Sequence, residues 1–93
     1  MARHEKTLAG VFERPTRADL RWSEFSSLVK HVGGVVESAK GNGSRVLVKL
    51  NGHRATFHRP HPGDVIAKVL LEDLREFLER AGIRPEPQSQ RKR

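Results

Sequence analysis

The dipeptide Asn51-Gly52 lies between two segments in which apolar and polar residues alternate, "SRVLVKL" before it and "HRATFH" after it. A two-residue type I′ turn needs a positive φ at both central positions, and Asn and Gly tolerate that conformation best. The dipeptide therefore predicts a β-hairpin. Because a loop of this length fixes the register of the two strands, it also predicts which side chains are cross-strand neighbours.

The predicted register pairs Arg45 with His58 and Lys49 with Arg54. Side chains alternate between the two faces of a strand, so the hairpin has one apolar face and one polar face. The predicted core side carries Val46, Val48, Leu50, Ala55 and Phe57, with His53 at its rim. The other side carries Arg45, Leu47, Lys49, Arg54, Thr56 and His58. We therefore expect a basic sheet face that is open to solvent.

Segments with apolar residues at helical spacing lie on both sides of the hairpin. Before it, the spacing of Phe25, Leu28, Val29 and Val32 predicts a helix that Gly33-Gly34 ends. After it, residues 66–81 form a second predicted helix before Gly82, with one stripe of Ile66, Leu70, Leu74, Phe77, Leu78 and Ala81. Residues 35–39 predict a strand. The segment "KGNG", residues 40–43, predicts a turn. Residues 5–12 predict a short helix or docking arm that stops before Pro15.

The fold class that follows is α+β in the order α-β-β-β-α, with a three-stranded antiparallel sheet and helices on one face. A length of 93 residues suits a single domain. We expect an N-terminal arm or short helix over 1–17, a domain over 18–85 and a disordered basic tail over 86–93.

Trp22 is predicted to be a packing anchor, and His4 and His31 are predicted to be solvated helix positions without companions.

The charge of the chain restricts its partners. A formal net charge of +7 and a pI near 10.8 favour a polyanionic partner that carries phosphates, or an acidic protein. The chain has no cysteine, which excludes disulfides and thiolate metal sites, and we expect it in the cytoplasm. The N-terminus lacks the apolar core of a signal peptide, and no apolar run reaches the roughly 20 residues of a membrane span.

The order α-β-β-β-α, the "GSRVLV" strand, and "FHRPHP" followed by "LREFLERAG" resemble the HicA family of bacterial toxins over roughly residues 22–85. The resemblance implies a double-stranded-RNA-binding-domain-like fold and a metal-independent mRNA endoribonuclease, also called an mRNA interferase. It also implies a HicB-type antitoxin that covers the active face. Two positions depart from the pattern: Arg45 stands where many members have the catalytic histidine, and Val69 follows Lys68 where glycine is common.

Metal-free RNA cleavage needs a base for the 2′-hydroxyl proton, a cation for the charged phosphorane and an acid for the leaving oxygen. Histidine suits the proton transfers because its unperturbed pKa, about 6.5, lies near working pH. Arginine suits the charge because its planar fork grips phosphate oxygens in pairs. We therefore predict that His58 is the general base or acid, that Arg45 is the phosphate clamp, and that His61 is a further catalytic residue.

Four further basic residues, Lys49, Arg54, Arg59 and Lys68, are predicted to bind the RNA backbone. No metal site or cofactor is expected, because His58 and His61 have only Asp64 nearby, whereas zinc takes three or four protein ligands. Three alternatives stay open. Arg45 and His58 form an ordinary exposed pair on a solvated face; the chain binds RNA without cutting it; or the basic face serves an acidic protein partner.

Overall fold

The computed structural model describes residues 3–38, 44–60 and 63–85. Its elements are α1 (Arg3–Val11), α2 (Trp22–His31), β1 (Val35–Ser38), β2 (Arg45–Leu50), β3 (His53–His58) and α3 (Lys68–Arg80). The strands form one antiparallel sheet in the order β1-β2-β3. The predicted α+β fold with its α-β-β-β-α order is confirmed. The predicted "KGNG" turn and the predicted tail over 86–93 lie outside the described residues, as does His61.

The β2–β3 hairpin has the predicted turn and the predicted register. Asn51 has a φ of 50° and Gly52 a φ of 83°, which is the left-handed conformation that the dipeptide predicts. Arg45 lies opposite His58, and Lys49 lies opposite Arg54. The Asn51 side-chain amide also donates a hydrogen bond of 2.8 Å to the Ala81 carbonyl. This bond ties the hairpin turn to the end of α3, so the turn is fixed both by its own backbone and by a helix.

The core lies between the sheet and the helices α2 and α3. The apolar face of the hairpin is buried as predicted, except that Ala55 is half-buried. Phe57 packs edge-on against Phe77 of α3, with ring centroids 5.9 Å apart. Trp22 is buried against Phe25, which confirms its predicted role as an anchor.

The stripe predicted for the last helix needs two corrections. Ile66 is fully buried, but it precedes the helix, which has Ala67 as its N-cap and begins at Lys68. Ile66 reaches the core from an extended segment. Its own backbone N–H donates a hydrogen bond of 2.8 Å to the Leu20 carbonyl. Within α3 itself, Leu71 is fully buried, while Leu70 is only half-buried.

Helix α1 packs across α2 and α3, and its last residue, Val11, is fully buried. Arg75 of α3 holds this end of α1 in place. Its guanidinium donates to the Val11 carbonyl at 3.0 Å, to the Glu13 carbonyl at 3.3 Å and to Thr16 Oγ1 at 3.1 Å. Since the last carbonyls of a helix lack intrahelical partners, a cation here satisfies them and also favours the helix dipole. None of the three helices in the described residues is long and apolar enough to span a membrane.

The prediction that His4 and His31 lack companions is wrong. The two imidazole rings stack between α1 and α2, with centroids 4.3 Å apart and an interplanar angle of 16°. The two residues are far apart in the chain and meet only because α1 docks on α2. His4 Nδ1 is buried without a hydrogen-bond partner among the described residues. Burial of the ring lowers the pKa of His4 below its ordinary 6.5, and the charges of His31 and Arg3 lower it further.

The lowered pKa of His4 makes stability depend on pH. The folded protein holds the His4 proton less tightly than the unfolded chain does, so the unfolded chain binds more protons below pH 6.5. We expect the free energy of unfolding to fall as the pH decreases through that value, as measured by denaturant titration at several pH values. The variant His4→Phe keeps a stacked ring that does not titrate, and it should lose less stability between about pH 7 and about pH 5. Equal losses in both proteins would contradict this account.

Candidate nucleic-acid interface

The sheet face that points away from the helices, called here the outer face, carries side chains in rows that the strand register defines. The tip row, beside the hairpin turn, is Val35, Lys49 and Arg54. The middle row is Glu37, Leu47 and Thr56. The distal row is Arg45 and His58. Because a strand rises by about 3.3 Å per residue, the tip and distal rows lie about 13 Å apart.

The outer face has cations at both ends that no described residue neutralises. Arg45, Lys49, Arg54 and His58 are all exposed. The ion pairs among the described residues involve Arg17 and Arg80, and neither residue lies on this face. Glu37, in the middle row, is the one carboxylate among the described residues of the face. The arrangement therefore leaves both ends of the face available to an anion.

The distal row places a guanidinium next to an imidazole. Directly opposed residues in an antiparallel pair have Cβ atoms about 5 Å apart, so Arg45 and His58 can contact one phosphate group together. The Arg59 N–H donates to the Ser44 carbonyl at 2.9 Å and extends the strand pairing one residue further. The backbone is therefore held on both sides of the pair, which fixes the relative position of the two Cβ atoms.

An open depression lies at the other end of the outer face. It has a volume of about 310 Å³ and is lined by Gly33, Val35, Lys49, Leu50, Asn51, Gly52, His53 and Arg54. One wall is the junction of α2 and β1, and the other is the hairpin turn. The depression thus combines the apolar Val35 with two cations of the tip row.

Comparison with family models identifies the family to which the chain belongs. A family model described as the HicA toxin of bacterial toxin-antitoxin matches residues 22–85. The chain belongs to the HicA toxin family. The resemblance seen in the sequence is thereby confirmed. Comparisons with curated proteins and with solved structures give no significant match.

Not all of the residues predicted for RNA contact lie on one face of this HicA-family domain. The structure brings Arg45, Lys49, Arg54 and His58 together on the outer face. Arg59 lies opposite Ser44, so by alternation it belongs to the core-side face, where it is exposed at the end of the hairpin. The remaining predicted cation, Lys68, is exposed on the first turn of α3.

The loop that leads from β3 to α3 in this HicA-family fold is anchored on α2. The Asp64 carboxylate accepts hydrogen bonds from the Ser23 hydroxyl at 2.7 Å and from the Ser23 N–H at 3.3 Å. The Asp64 carbonyl accepts from the Trp22 N–H at 2.7 Å. A carboxylate at the N-terminus of a helix is favoured by the helix dipole. Asp64, the carboxylate nearest to His58 and His61 in sequence, is therefore engaged in capping α2.

Proposed function

We propose that this HicA-family protein binds mRNA on its outer face in the cytoplasm and cleaves it without a metal ion. The observation that carries the proposal is the distal row: Arg45 and His58 are direct cross-strand neighbours on an exposed basic surface. An arginine beside a histidine supplies a phosphate clamp and a proton-transfer group at the same place.

The proposed reaction uses the 2′-hydroxyl of the RNA as nucleophile. Its oxygen forms a bond to phosphorus as the bond from phosphorus to the 5′ oxygen breaks, which leaves a 2′,3′-cyclic phosphate and a 5′-hydroxyl. His58 takes the 2′-hydroxyl proton or protonates the leaving oxygen, and Arg45 stabilises the charge on the phosphorane. His61 is proposed for the second proton transfer, on the strength of its position in the sequence.

The proposed inhibitor is a HicB-type antitoxin. Family membership supports an antitoxin partner, and the exposed cations of the outer face favour an acidic surface on that partner. An antitoxin that covers this face excludes RNA from it, so RNA and antitoxin compete for the toxin.

Replacing His58 by alanine is expected to lower the rate of RNA cleavage at least about 100-fold, since positioned acid or base groups contribute typically 10²–10⁴-fold. The measurement uses purified protein, a chelator and a labelled RNA, with the product ends assayed for the 2′,3′-cyclic phosphate. His31→Ala is the control, because His31 lies on α2, on the other side of the sheet from the outer face. Since His31 also stacks on His4, the folding of this variant is checked by thermal unfolding. Undiminished cleavage by His58→Ala would remove His58 from the mechanism.

A second candidate function is RNA binding without cleavage. Arg45 favours it, since this residue stands where many family members carry the catalytic histidine. Under this candidate the wild-type protein binds RNA and leaves it intact, and Arg45→His gains cleavage. Cleavage by the wild-type protein in the presence of chelator excludes this candidate.

A further inference from the structure

We propose that the depression beside the hairpin turn is a second RNA subsite, which holds one unpaired nucleotide of a single-stranded RNA. This inference rests on the proposed function and specifies its substrate. The site differs from the distal row, from which the tip row is about 13 Å away.

The walls of the depression are held from two sides. Gly33, with a φ of 93°, ends α2. At Gly34 a Cβ atom would lie 2.7 Å from the Lys49 carbonyl oxygen and 2.6 Å from Val29 Cγ1, so only glycine allows this approach. The opposite wall is the turn whose Asn51 side chain is bonded to the end of α3. The shape of the depression is therefore set by the fold before any ligand binds.

The lining suits a nucleotide because it offers an apolar contact and two cations. Val35 is 42% exposed, although it is an aliphatic residue in a strand. Lys49 and Arg54 lie beside it and form no ion pair with a described residue. A base can pack on Val35 or stack on the Arg54 guanidinium while the two cations contact its phosphates.

The size and the placement of the depression favour a single unpaired nucleotide. Its volume of about 310 Å³ lies at the small end of ligand sites, which span about 300–1,000 Å³. Duplex RNA is read across a broad surface, whereas unpaired bases enter concave sites. The middle row between the two ends carries no cation, and its one charged residue is Glu37 on β1. A single strand that follows β2 and β3 would thus be held at the distal row and at the tip row, and the subsite would select the base a fixed distance from the cleaved phosphate.

The first test measures RNA binding in the His58→Ala protein, so that cleavage does not interfere. Fluorescence anisotropy compares a short labelled single strand with a duplex of the same sequence over a range of salt concentrations. We expect tighter binding of the single strand. Lys49→Ala and Arg54→Ala are then added one at a time. Each should make the slope of log affinity against log salt less steep by about 0.7, which is the value for one phosphate contact on a single strand. Lys30→Ala, which removes an exposed lysine on α2, is the control and should leave the slope unchanged.

The second test asks whether a base enters the depression. A set of single strands, each with one abasic nucleotide, is titrated against the His58→Ala protein. One position should weaken binding when its base is removed, and that loss should vanish when Val35→Asp is added, since the two changes then act on one contact. Because Val35 is exposed, this substitution leaves the core intact.

Three outcomes would overturn the subsite: no abasic position weakens binding, the duplex binds more tightly, or an acidic peptide binds at the tip row where RNA does not. If the tip variants bind RNA as the control does while the wild-type protein still cleaves RNA through His58, the subsite fails and the proposed function stands. If the protein binds no RNA at all, both fail.

Discussion

Replacing Arg75 by methionine is expected to lower the free energy of unfolding by on the order of 3 kcal/mol. Arg75 is only 6% exposed, and its guanidinium donates to two backbone carbonyls and one hydroxyl around the end of α1. Methionine preserves much of the apolar stem but leaves those acceptors without their donor. An unsatisfied buried acceptor costs about 1–3 kcal/mol. Denaturant unfolding of the purified protein measures the change.

The matched control is Arg80→Met on the same helix. Arg80 is exposed, and its ion pair with Glu76 at 3.7 Å is of the surface kind that contributes little. Hydrogen exchange should locate the damage from Arg75→Met in α1, whose amides should lose protection before those of the sheet. A change of less than about 0.5 kcal/mol for Arg75→Met, as for an ordinary surface residue, would contradict the role assigned to Arg75.

Arg45→Ala is expected to lower the rate of RNA cleavage by about 100-fold, because removing one donor that stabilises developing charge typically costs 10²–10³-fold. Arg45 is exposed on the outer face, so its removal should leave the thermal unfolding midpoint near that of the wild-type protein. The cleavage rate of Arg45→Lys should lie between those of the wild-type protein and Arg45→Ala, since lysine keeps the charge and loses the planar fork. The measurement is single-turnover cleavage of a labelled RNA at saturating protein.

Arg84→Ala is the control for this series, because it removes an exposed arginine outside the outer face. It should cleave at the wild-type rate. If Arg45→Ala also cleaves at the wild-type rate, Arg45 does not stabilise the transition state, and the distal row is an ordinary cross-strand pair.

The features that the sequence predicts well are those that depend on local geometry. The hairpin follows from the conformational preference of Asn51-Gly52, and a two-residue loop leaves one register, so the partners of Arg45 and Lys49 follow as well. The end of α2 at Gly33 has the same local origin.

The features that escape the sequence depend on how distant segments dock. His4 and His31 meet only through the packing of α1 on α2, and nothing in either local pattern indicates it. The position of Arg75 among the buried residues of α3 indicates that this side chain has a partner inside the protein. The acceptors themselves come from a segment more than 50 residues away, so the sequence does not identify them. The depression needs the α2–β1 junction and the hairpin turn side by side, which is again a tertiary arrangement.

If the distal row is the active site of a toxin, induction of the protein in cells that lack the antitoxin shows it most directly. Wild-type protein and His58→Ala are expressed to the same level, while growth and the integrity of a reporter mRNA are followed. The account predicts growth arrest with mRNA cleavage for the wild-type protein, and neither effect for a His58→Ala protein that is folded and still binds RNA. Growth arrest and mRNA cleavage by His58→Ala at the wild-type level would contradict it.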